Sequence, residues 1–177
     1  MNNEEIKLRG EIVYDGKIMK IHKDVVMCPN GNEAIREILH HNGGAGVLCL
    51  NEKNDVLLER QFRYAYGETI YEIPAGKLEL NEDPYLAAQR ELEEETGNKA
   101  DTLTPLGVIY PTCGYSDEKI YLFLAKNTKI THTHFDEDEV ISSEYYPLEE
   151  VMKMIKDGQI KDAKTICAIN YYLMLEK

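Results

Sequence analysis

The chain has 177 residues and a formal net charge of −12, because 32 aspartates and glutamates outnumber 20 lysines and arginines. This length allows one domain, or one domain with a small appendage, around a sizeable apolar core. The negative charge argues against nucleic acid or an anionic membrane as a partner, since both would repel the chain.

The N-terminal sequence MNNEEIKLRG carries acidic residues and no apolar run. We therefore expect neither a signal peptide nor a transmembrane helix. The four cysteines include no close pair and no spacing typical of a zinc site; they are Cys28, Cys49, Cys113 and Cys167. This pattern predicts reduced thiols in a cytoplasmic protein.

Residues 1–42 are predicted to form a small β-rich appendage. Its strands, between about residues 6 and 41, are expected to be short, with turns at Asp15-Gly16 and Pro29-Asn30-Gly31. Residues 43–177 are predicted to form the main domain, in which strands alternate with helices. Strands are expected near 45–50, 55–61, 69–73, 104–110, 119–125 and 141–146, and C-terminal helices near 148–157 and 162–175.

A helix over about residues 84–96 is the best specified element of this domain. Asp83 can serve as its N-cap, Pro84 occupies its first position, and Gly97 follows its last turn. The apolar spacing predicts a core stripe of Tyr85, Ala88 and Leu92, which leaves the other flank to Arg90, Glu91, Glu94 and Glu95.

Two glutamates on that flank, Glu91 and Glu95, lie one turn apart. Like charges at this spacing destabilise a bare helix by about a few tenths of a kcal/mol. A solvated face is the common explanation for such a cluster. A divalent cation is the other, because carboxylate oxygens about 6 Å apart can hold Mg²⁺ or Mn²⁺.

The order of the residues favours the cation. Gly76 is followed after five residues by Glu82, after seven more by Arg90-Glu91-Leu92, and then by Glu94-Glu95 and Gly97. This pattern resembles the Nudix box of the Nudix hydrolases, with every charged and glycine position filled. One departure is Asn98, where the family usually has an aliphatic residue.

The resemblance implies a hydrolase that cleaves nucleoside diphosphates linked to another moiety, with Mg²⁺ (or Mn²⁺) held against the pyrophosphate. It assigns Glu91 and Glu95 as metal ligands and places Glu94 in the catalytic group, as a further ligand or as the partner of a ligand. The backbone carbonyl of Ala75 is a further implied ligand. The structural residues of the box are Gly76, Gly97 and an ion pair between Glu82 and Arg90.

The flanking segments, LLERQFRYAYGETIYEIPAGKLE and YPTCGYSDEKIYLFLA, resemble the ADP-ribose pyrophosphatase group of this family. The loop of residues 111–114 departs from the Ser-Pro-Gly that relatives often carry. The implied fold is α+β, a Nudix-like α/β/α sandwich with a mixed sheet, joined to the N-terminal appendage. The implied assembly is a homodimer whose N-terminal strands, residues 1–42, reach the other subunit.

The acidic run of residues 136–139 is a second candidate site. By composition it is typical of a solvated loop, but the resemblance places here a glutamate-containing loop that closes over the metals. Matching the chain backward from Pro147 makes Glu137 the general base and Glu139 a further metal ligand. A slip of one residue would exchange them with Asp136 or Asp138.

The implied substrate contacts are three cations: Arg63 first, then Arg36 in the appendage and Lys77 beside the box. Together these features predict an enzyme that hydrolyses ADP-ribose to AMP and ribose 5-phosphate. A hydrolase of GDP- or UDP-linked hexoses is the nearest alternative, and a silent nucleotide-sensing module is a more distant one. The intact glutamates at 91 and 95 argue against the sensor.

Overall fold

The computed structural model describes residues 3–133 and 140–175. The described chain divides into two compact units. The first contains the residues up to Gly43 together with Tyr110–Lys119, and the second contains Gly44–Ile109 and the residues from Ile120 onward. Within the described ranges, no helix has the length and apolar character needed to cross a membrane.

The first unit is built on an antiparallel three-stranded sheet. Its strands, in the order β1-β2-β3, are β1 Ile6–Asp15, β2 Lys20–Met27 and β3 Glu33–His40. They have ten, eight and eight residues, so the expectation of short strands was wrong. The predicted turns are present: the Gly16 N–H donates to the Met19 carbonyl, and Gly31 has a φ of 83°. At 83°, a glycine avoids the strain that a side chain would cause.

The segment of residues 110–119 is held against the end of β3 in the same unit. Leu39 bonds to it in both directions, since its N–H donates to the Tyr115 carbonyl and its carbonyl accepts from the Asp117 N–H. The Asp117 carboxylate also accepts from the His41 N–H at 3.0 Å. The sequence did not indicate this association.

The strands of the second unit are β4 Gly44–Leu50, β5 Val56–Arg63, β6 Glu68–Glu72, β7 Ala75–Lys77, β8 Asn98–Lys99, β9 Thr104–Ile109, β10 Ile120–Lys126, β11 Lys129–Ile130 and β12 Ile141–Tyr146. Its mixed sheet has the main path β12-β5-β4-β10-β9. The pair β10·β4 is parallel and the others are antiparallel, while β6 pairs with β5 and β7 pairs with β4. A separate two-stranded sheet joins β8 to β11.

Both faces of this sheet are covered by helices, which are α1 Pro84–Thr96, α2 Leu148–Lys156 and α3 Ala163–Leu175. All seven residues of β4 are buried. Leu48 and Leu50 belong to the core that includes α2 and α3, whereas Val47 and Cys49 belong to the core that includes α1. Successive side chains of a strand point to opposite faces. A strand buried on both faces is the centre of an α/β/α sandwich, which confirms the predicted fold class.

The caps predicted for α1 are present. The Asp83 carboxylate accepts from the backbone N–H groups of Tyr85 at 2.8 Å and Leu86 at 3.3 Å. Gly97 ends the helix in the left-handed region, with a φ of 65°. Leu92 is fully buried, as its place in the core stripe requires. These contacts fix where the helix begins and ends, and therefore which way each of its glutamates points.

Asn98, the departure from the aliphatic residue usual at this position, is the centre of a buried hydrogen-bond network. Its side-chain oxygen accepts from the hydroxyls of Thr128 at 2.8 Å and Tyr145 at 3.1 Å. Its amide nitrogen donates to the Thr96 carbonyl at 3.2 Å. Burial raises the pKa of Tyr145, so this phenol stays protonated and can donate. The position therefore joins the end of α1 to β12 by polar contacts.

Candidate active site

The segment that runs from the end of β6 into β7, residues 73–76, is the framework of the site. Its polar groups are bonded on several sides. The Ile73 N–H donates to the Thr165 hydroxyl at 2.8 Å, the Pro74 carbonyl accepts from the Val47 N–H at 2.9 Å, and the Ala75 N–H donates to Glu95 Oε2 at 3.0 Å. A backbone held in this way has a defined position beneath α1.

Gly76 leaves room for the carboxylate of Glu91. A Cβ built on Gly76 would lie 1.9 Å from Glu91 Cδ and 2.0 Å from its Oε1. Any side chain here would displace the carboxylate, so the glycine that begins the box brings Glu91 directly onto the backbone of β7.

Glu95 reaches the same segment from one turn further along α1. Its side chain is 5% exposed, so the expectation that it lies on the flank away from the core was wrong. It is buried because its carboxylate accepts from the Ala75 N–H, which compensates for the loss of water. The structure thus brings Glu91, Glu95 and the backbone of residues 75 and 76 together.

Arg90 joins three carboxylates on the neighbouring flank. It binds Glu82 through two hydrogen bonds of 3.1 Å, and its Nη1 lies 2.7 Å from Glu91 Oε1 and 3.0 Å from Glu94 Oε2. Burial alone would lower the pKa of Arg90, but the three carboxylates outweigh it and raise that pKa. Hydrogen bonding to Arg90 lowers the pKa of Glu82. The ion pair expected between Glu82 and Arg90 is present, and it extends to two more box glutamates.

Arg63, the first substrate candidate, forms a two-bond ion pair with Glu72. Its Nε and Nη2 donate to the two carboxylate oxygens, each at 2.8 Å. Glu72 is 2% exposed and also binds the Lys164 ammonium. Burial tends to lower the pKa of Arg63, while Glu72 and, more weakly, Glu95 raise it. The Arg63 guanidinium therefore interacts electrostatically with Glu95 as well as with Glu72.

Sequence reasoning missed Glu72 as a partner in this group. The indication was available, because Glu72 immediately precedes the Ile-Pro-Ala-Gly segment in a strand whose neighbours are apolar. A glutamate buried at that point requires a cation, since an unpaired buried carboxylate is costly.

The remaining residues predicted for the site are Lys77, Arg36, Glu137 and Glu139. Lys77 lies at the exposed end of β7. Arg36 lies in the first unit, on β3, where it binds the carboxylate of Glu5 and donates to the Ile35 carbonyl at 3.0 Å. Glu137 and Glu139 lie outside the described residues.

The chemistry of the donors fits a hard divalent cation. Carboxylate and carbonyl oxygens are the ligands of Mg²⁺ and Mn²⁺, and two carboxylates meet the backbone at residues 75 and 76. In the part of the chain that the structure describes, no group of three or more His, Cys, Asp or Glu side chains is placed to hold a metal. Mg²⁺ is usually held by one or two carboxylates together with waters and substrate phosphates.

The carboxylates of α1 lie on the preceding Pro-Ala-Gly segment, and an arginine of the same helix holds one of them in place. In an α/β/α sandwich, this arrangement defines a Nudix-type site. The model of the NUDIX domain matches residues 40–169. The chain belongs to this family.

Three curated relatives extend the likeness over most of the chain. ADP-ribose pyrophosphatase from Bacillus subtilis (strain 168) is 37% identical over 175 residues, which are 98% of this chain and 95% of the relative. The methanol dehydrogenase activator from Bacillus methanolicus has the same identity and coverage. GDP-mannose pyrophosphatase from Yersinia enterocolitica is 37% identical over 166 residues, 86% of each chain.

Among solved structures, an ADP compounds hydrolase superposes with a TM-score of 0.84 over 97% of this chain and 94% of its own. The two sequences are 21% identical. This likeness establishes the fold that the two proteins share.

Proposed function

We propose that this protein is a divalent-metal-dependent hydrolase that cleaves ADP-ribose to AMP and ribose 5-phosphate. The proposal rests on one observation above others: the similarity to an ADP-ribose pyrophosphatase extends over nearly the full length of both chains. The placement of Glu91 and Glu95 against the backbone of residues 75 and 76 supports it, because these are the oxygens that a pyrophosphate-bound cation requires.

In this proposal Glu91, Glu95, the Ala75 carbonyl and Glu139 hold Mg²⁺ or Mn²⁺. Bound metal would neutralise the charge that develops on the pyrophosphate and acidify a water molecule. Glu137 would serve as the general base for the attacking water, and Glu94 would support the metal ligands from its place beside Arg90.

Arg63 binds a phosphate or ribose of the substrate, and Arg36 and Lys77 are further contacts. The two hydrogen bonds that Arg63 donates to Glu72 hold the guanidinium in one orientation, so that little side-chain freedom is lost on binding.

The test is a panel of nucleoside diphosphate sugars incubated with the purified protein and Mg²⁺, with products separated by chromatography. We expect ADP-ribose to have the highest kcat/KM and to yield AMP. A tenfold preference for GDP-mannose or UDP-glucose corresponds to about 1.4 kcal/mol of transition-state binding. Such a result would show that the substrate assignment is wrong, while the assigned reaction class would stand.

GDP-hexose is the second candidate because a GDP-mannose pyrophosphatase is also 37% identical to this chain. The same panel decides between the two. A nucleotide-sensing module is the remaining alternative, and calorimetry that shows binding in Mg²⁺ without turnover would support it.

The roles of the glutamates can be separated by amide substitutions. Glu91→Gln and Glu95→Gln each remove a charged ligand and keep the shape, so turnover should collapse while the melting temperature changes little. Glu137→Gln should keep metal binding and lower kcat by about 10²–10⁴. If Glu137→Gln turns over normally while Asp136 or Glu139 variants do not, the assignment within residues 136–139 is displaced by one position.

We further propose a cytoplasmic homodimer in which residues 1–42 form a dimerisation domain and residues 43–177 form the main domain, with Arg36 near the partner's site. All ten residues of β1 are exposed, and they include Ile6, Leu8 and Ile12. Exposed apolar groups along one strand are typical of an interaction surface. Light scattering should give twice the chain mass at micromolar concentration, and an active monomer would contradict the proposal.

A further inference from the structure

The Ile73 N–H depends on a side chain that lies far away in the sequence. Ile73 follows the last residue of β6 and is fully buried. Its N–H donates to the hydroxyl of Thr165, at 2.8 Å, in the first turn of α3. Thr165 is also fully buried, so water cannot take the place of this hydroxyl without rearrangement of the core.

The direction of the Thr165 hydroxyl is fixed by Asp162. A hydroxyl has one hydrogen to donate, and that of Thr165 is donated to Asp162 Oδ2 at 2.6 Å. The same oxygen accepts from the Thr165 N–H at 2.9 Å, and Asp162 Oδ1 accepts from Lys164 Nζ at 3.0 Å. The acceptor side of the hydroxyl is therefore held toward the Ile73 N–H.

A short, stiff link joins this contact to Ala75. The residue between them is Pro74, whose ring restricts φ and whose carbonyl is bonded to the Val47 N–H at 2.9 Å. The Ala75 N–H then donates to Glu95. The segment is thus fixed from α3 at Ile73 and from α1 at Ala75. Because the link between them is stiff, a displacement of Ile73 must also displace Ala75.

We propose that Thr165, oriented by Asp162, is a positioning residue for the metal-binding backbone at Ala75 and for the Glu95 carboxylate bonded to it. This inference rests on the proposed function, which assigns Ala75 and Glu95 as metal ligands. Thr165 and Asp162 act through the segment of residues 73–76 and do not themselves contact the metal.

Thr165→Val tests the proposal, because it keeps the shape and removes the hydroxyl. Three measurements are made on each variant: Mn²⁺ binding to the metal-free protein by electron paramagnetic resonance, amide hydrogen exchange at Ile73 and Ala75 by NMR, and kcat and KM on ADP-ribose. Loss of a group that orients a ligand typically costs about 10- to 100-fold in metal affinity or activity. We expect Mn²⁺ binding weaker by at least that lower figure, faster exchange at both amides, and a fall in kcat with little change in KM.

Two variants serve as controls. Thr165→Ser retains the hydroxyl. It should therefore bind Mn²⁺ as the wild type does and keep the Ala75 amide protected from hydrogen exchange. Val151→Ala removes buried volume from the apolar core that includes Ile73, but the Val151 side chain makes none of the hydrogen bonds of the segment. It should lower the melting temperature and leave Mn²⁺ binding unchanged, which separates positioning from general stability.

Wild-type Mn²⁺ binding and Ala75 exchange in folded Thr165→Val would overturn the proposal, whatever the substrate proves to be. If Thr165→Val does not fold, Asp162→Asn decides, since it weakens the hold on the hydroxyl and keeps the side-chain size. Wild-type Mn²⁺ binding in Asp162→Asn would then overturn it, and weakened binding with faster Ala75 exchange would support it. If wild-type protein does not hydrolyse ADP-ribose, the proposed function fails while the binding and exchange measurements still decide this inference.

Discussion

Replacing Gly76 with alanine should separate activity from stability. The added Cβ would lie 1.9 Å from Glu91 Cδ, whereas ordinary contacts begin at 3.4 Å, so the carboxylate must move by about 1.5 Å, the difference between them. Misplacing a reacting group by about 1 Å can cost about 10²-fold in rate. We therefore expect kcat/KM on ADP-ribose to fall by about 10²-fold or more, which is at least about 2.7 kcal/mol.

The fold should tolerate this change. The atoms that the Cβ meets belong to the end of a flexible side chain, and Gly76 does not have a positive φ. Alanine also reduces the freedom of the unfolded chain, which stabilises by about 0.4–1 kcal/mol at compatible positions. Circular dichroism melting should therefore show a midpoint close to that of the wild type.

Gly46→Ala is the matched control. Gly46 pairs with Ala75 on the neighbouring strand, and its Cβ would approach side-chain atoms only, the nearest being Ile73 Cδ1 at 3.3 Å. This variant should retain most activity. Wild-type turnover and Mg²⁺ dependence in Gly76→Ala would refute the reasoning, and equal losses in both variants would attribute the effect to crowding of the sheet instead.

Two further substitutions address the surroundings of the site. Glu82→Gln should lower the free energy of unfolding by about 1 kcal/mol, because Arg90 is partly exposed and keeps its contacts with Glu91 and Glu94. The melting temperature should therefore fall by about 2–4 °C. Because the folded-state pKa of Glu82 is lowered, its contribution is full above its unfolded value of 4.5 and is lost as the pH falls through the folded value. The difference between wild type and variant should therefore shrink on acidification, and a constant difference down to pH 3 would contradict the assignment. Asn98→Leu restores the usual aliphatic residue but leaves the Thr128 and Tyr145 hydroxyls without their acceptor, so it should cost about 2 kcal/mol and lower the melting temperature by about 4–8 °C. Adding Tyr145→Phe should recover part of that loss, and a variant as stable as wild type would show that the network is dispensable.

Local patterns were sufficient to predict α1 to the residue. Asp83, Pro84 and Gly97 each act on their nearest neighbours, so their effect can be read without knowing the rest of the fold. The same holds for the box itself, whose spacing places Glu91 and Glu95 on one helix. The central strands β4 and β10 were also predicted closely, because a strand buried between two layers is marked by a continuous apolar run.

Long-range pairing set the limit of prediction. Thr165 and Ile73 are 92 residues apart, and neither has a sequence feature that indicates the hydrogen bond between them. Glu95 was predicted to lie on an open flank because helical spacing gives only the direction of its side chain. The spacing does not reveal that the Ala75 N–H lies on that side and donates to the Glu95 carboxylate. The short strands β7, β8 and β11, of two or three residues, were not predicted, since their pairing depends on partners supplied by the fold.

The association of residues 110–119 with β3 has a consequence for the order in which the protein can be made. The three strands of the first sheet are complete at residue 40, but the Tyr115 carbonyl that binds the Leu39 N–H is synthesised 76 residues after it. At about 5–20 residues per second, this delay is roughly 4–15 s. During that interval the growing chain passes through most of the central sheet and all of α1. The sheet of β1, β2 and β3 therefore leaves the ribosome before residues 110–119, and the unit that contains both is closed only after α1 has been translated.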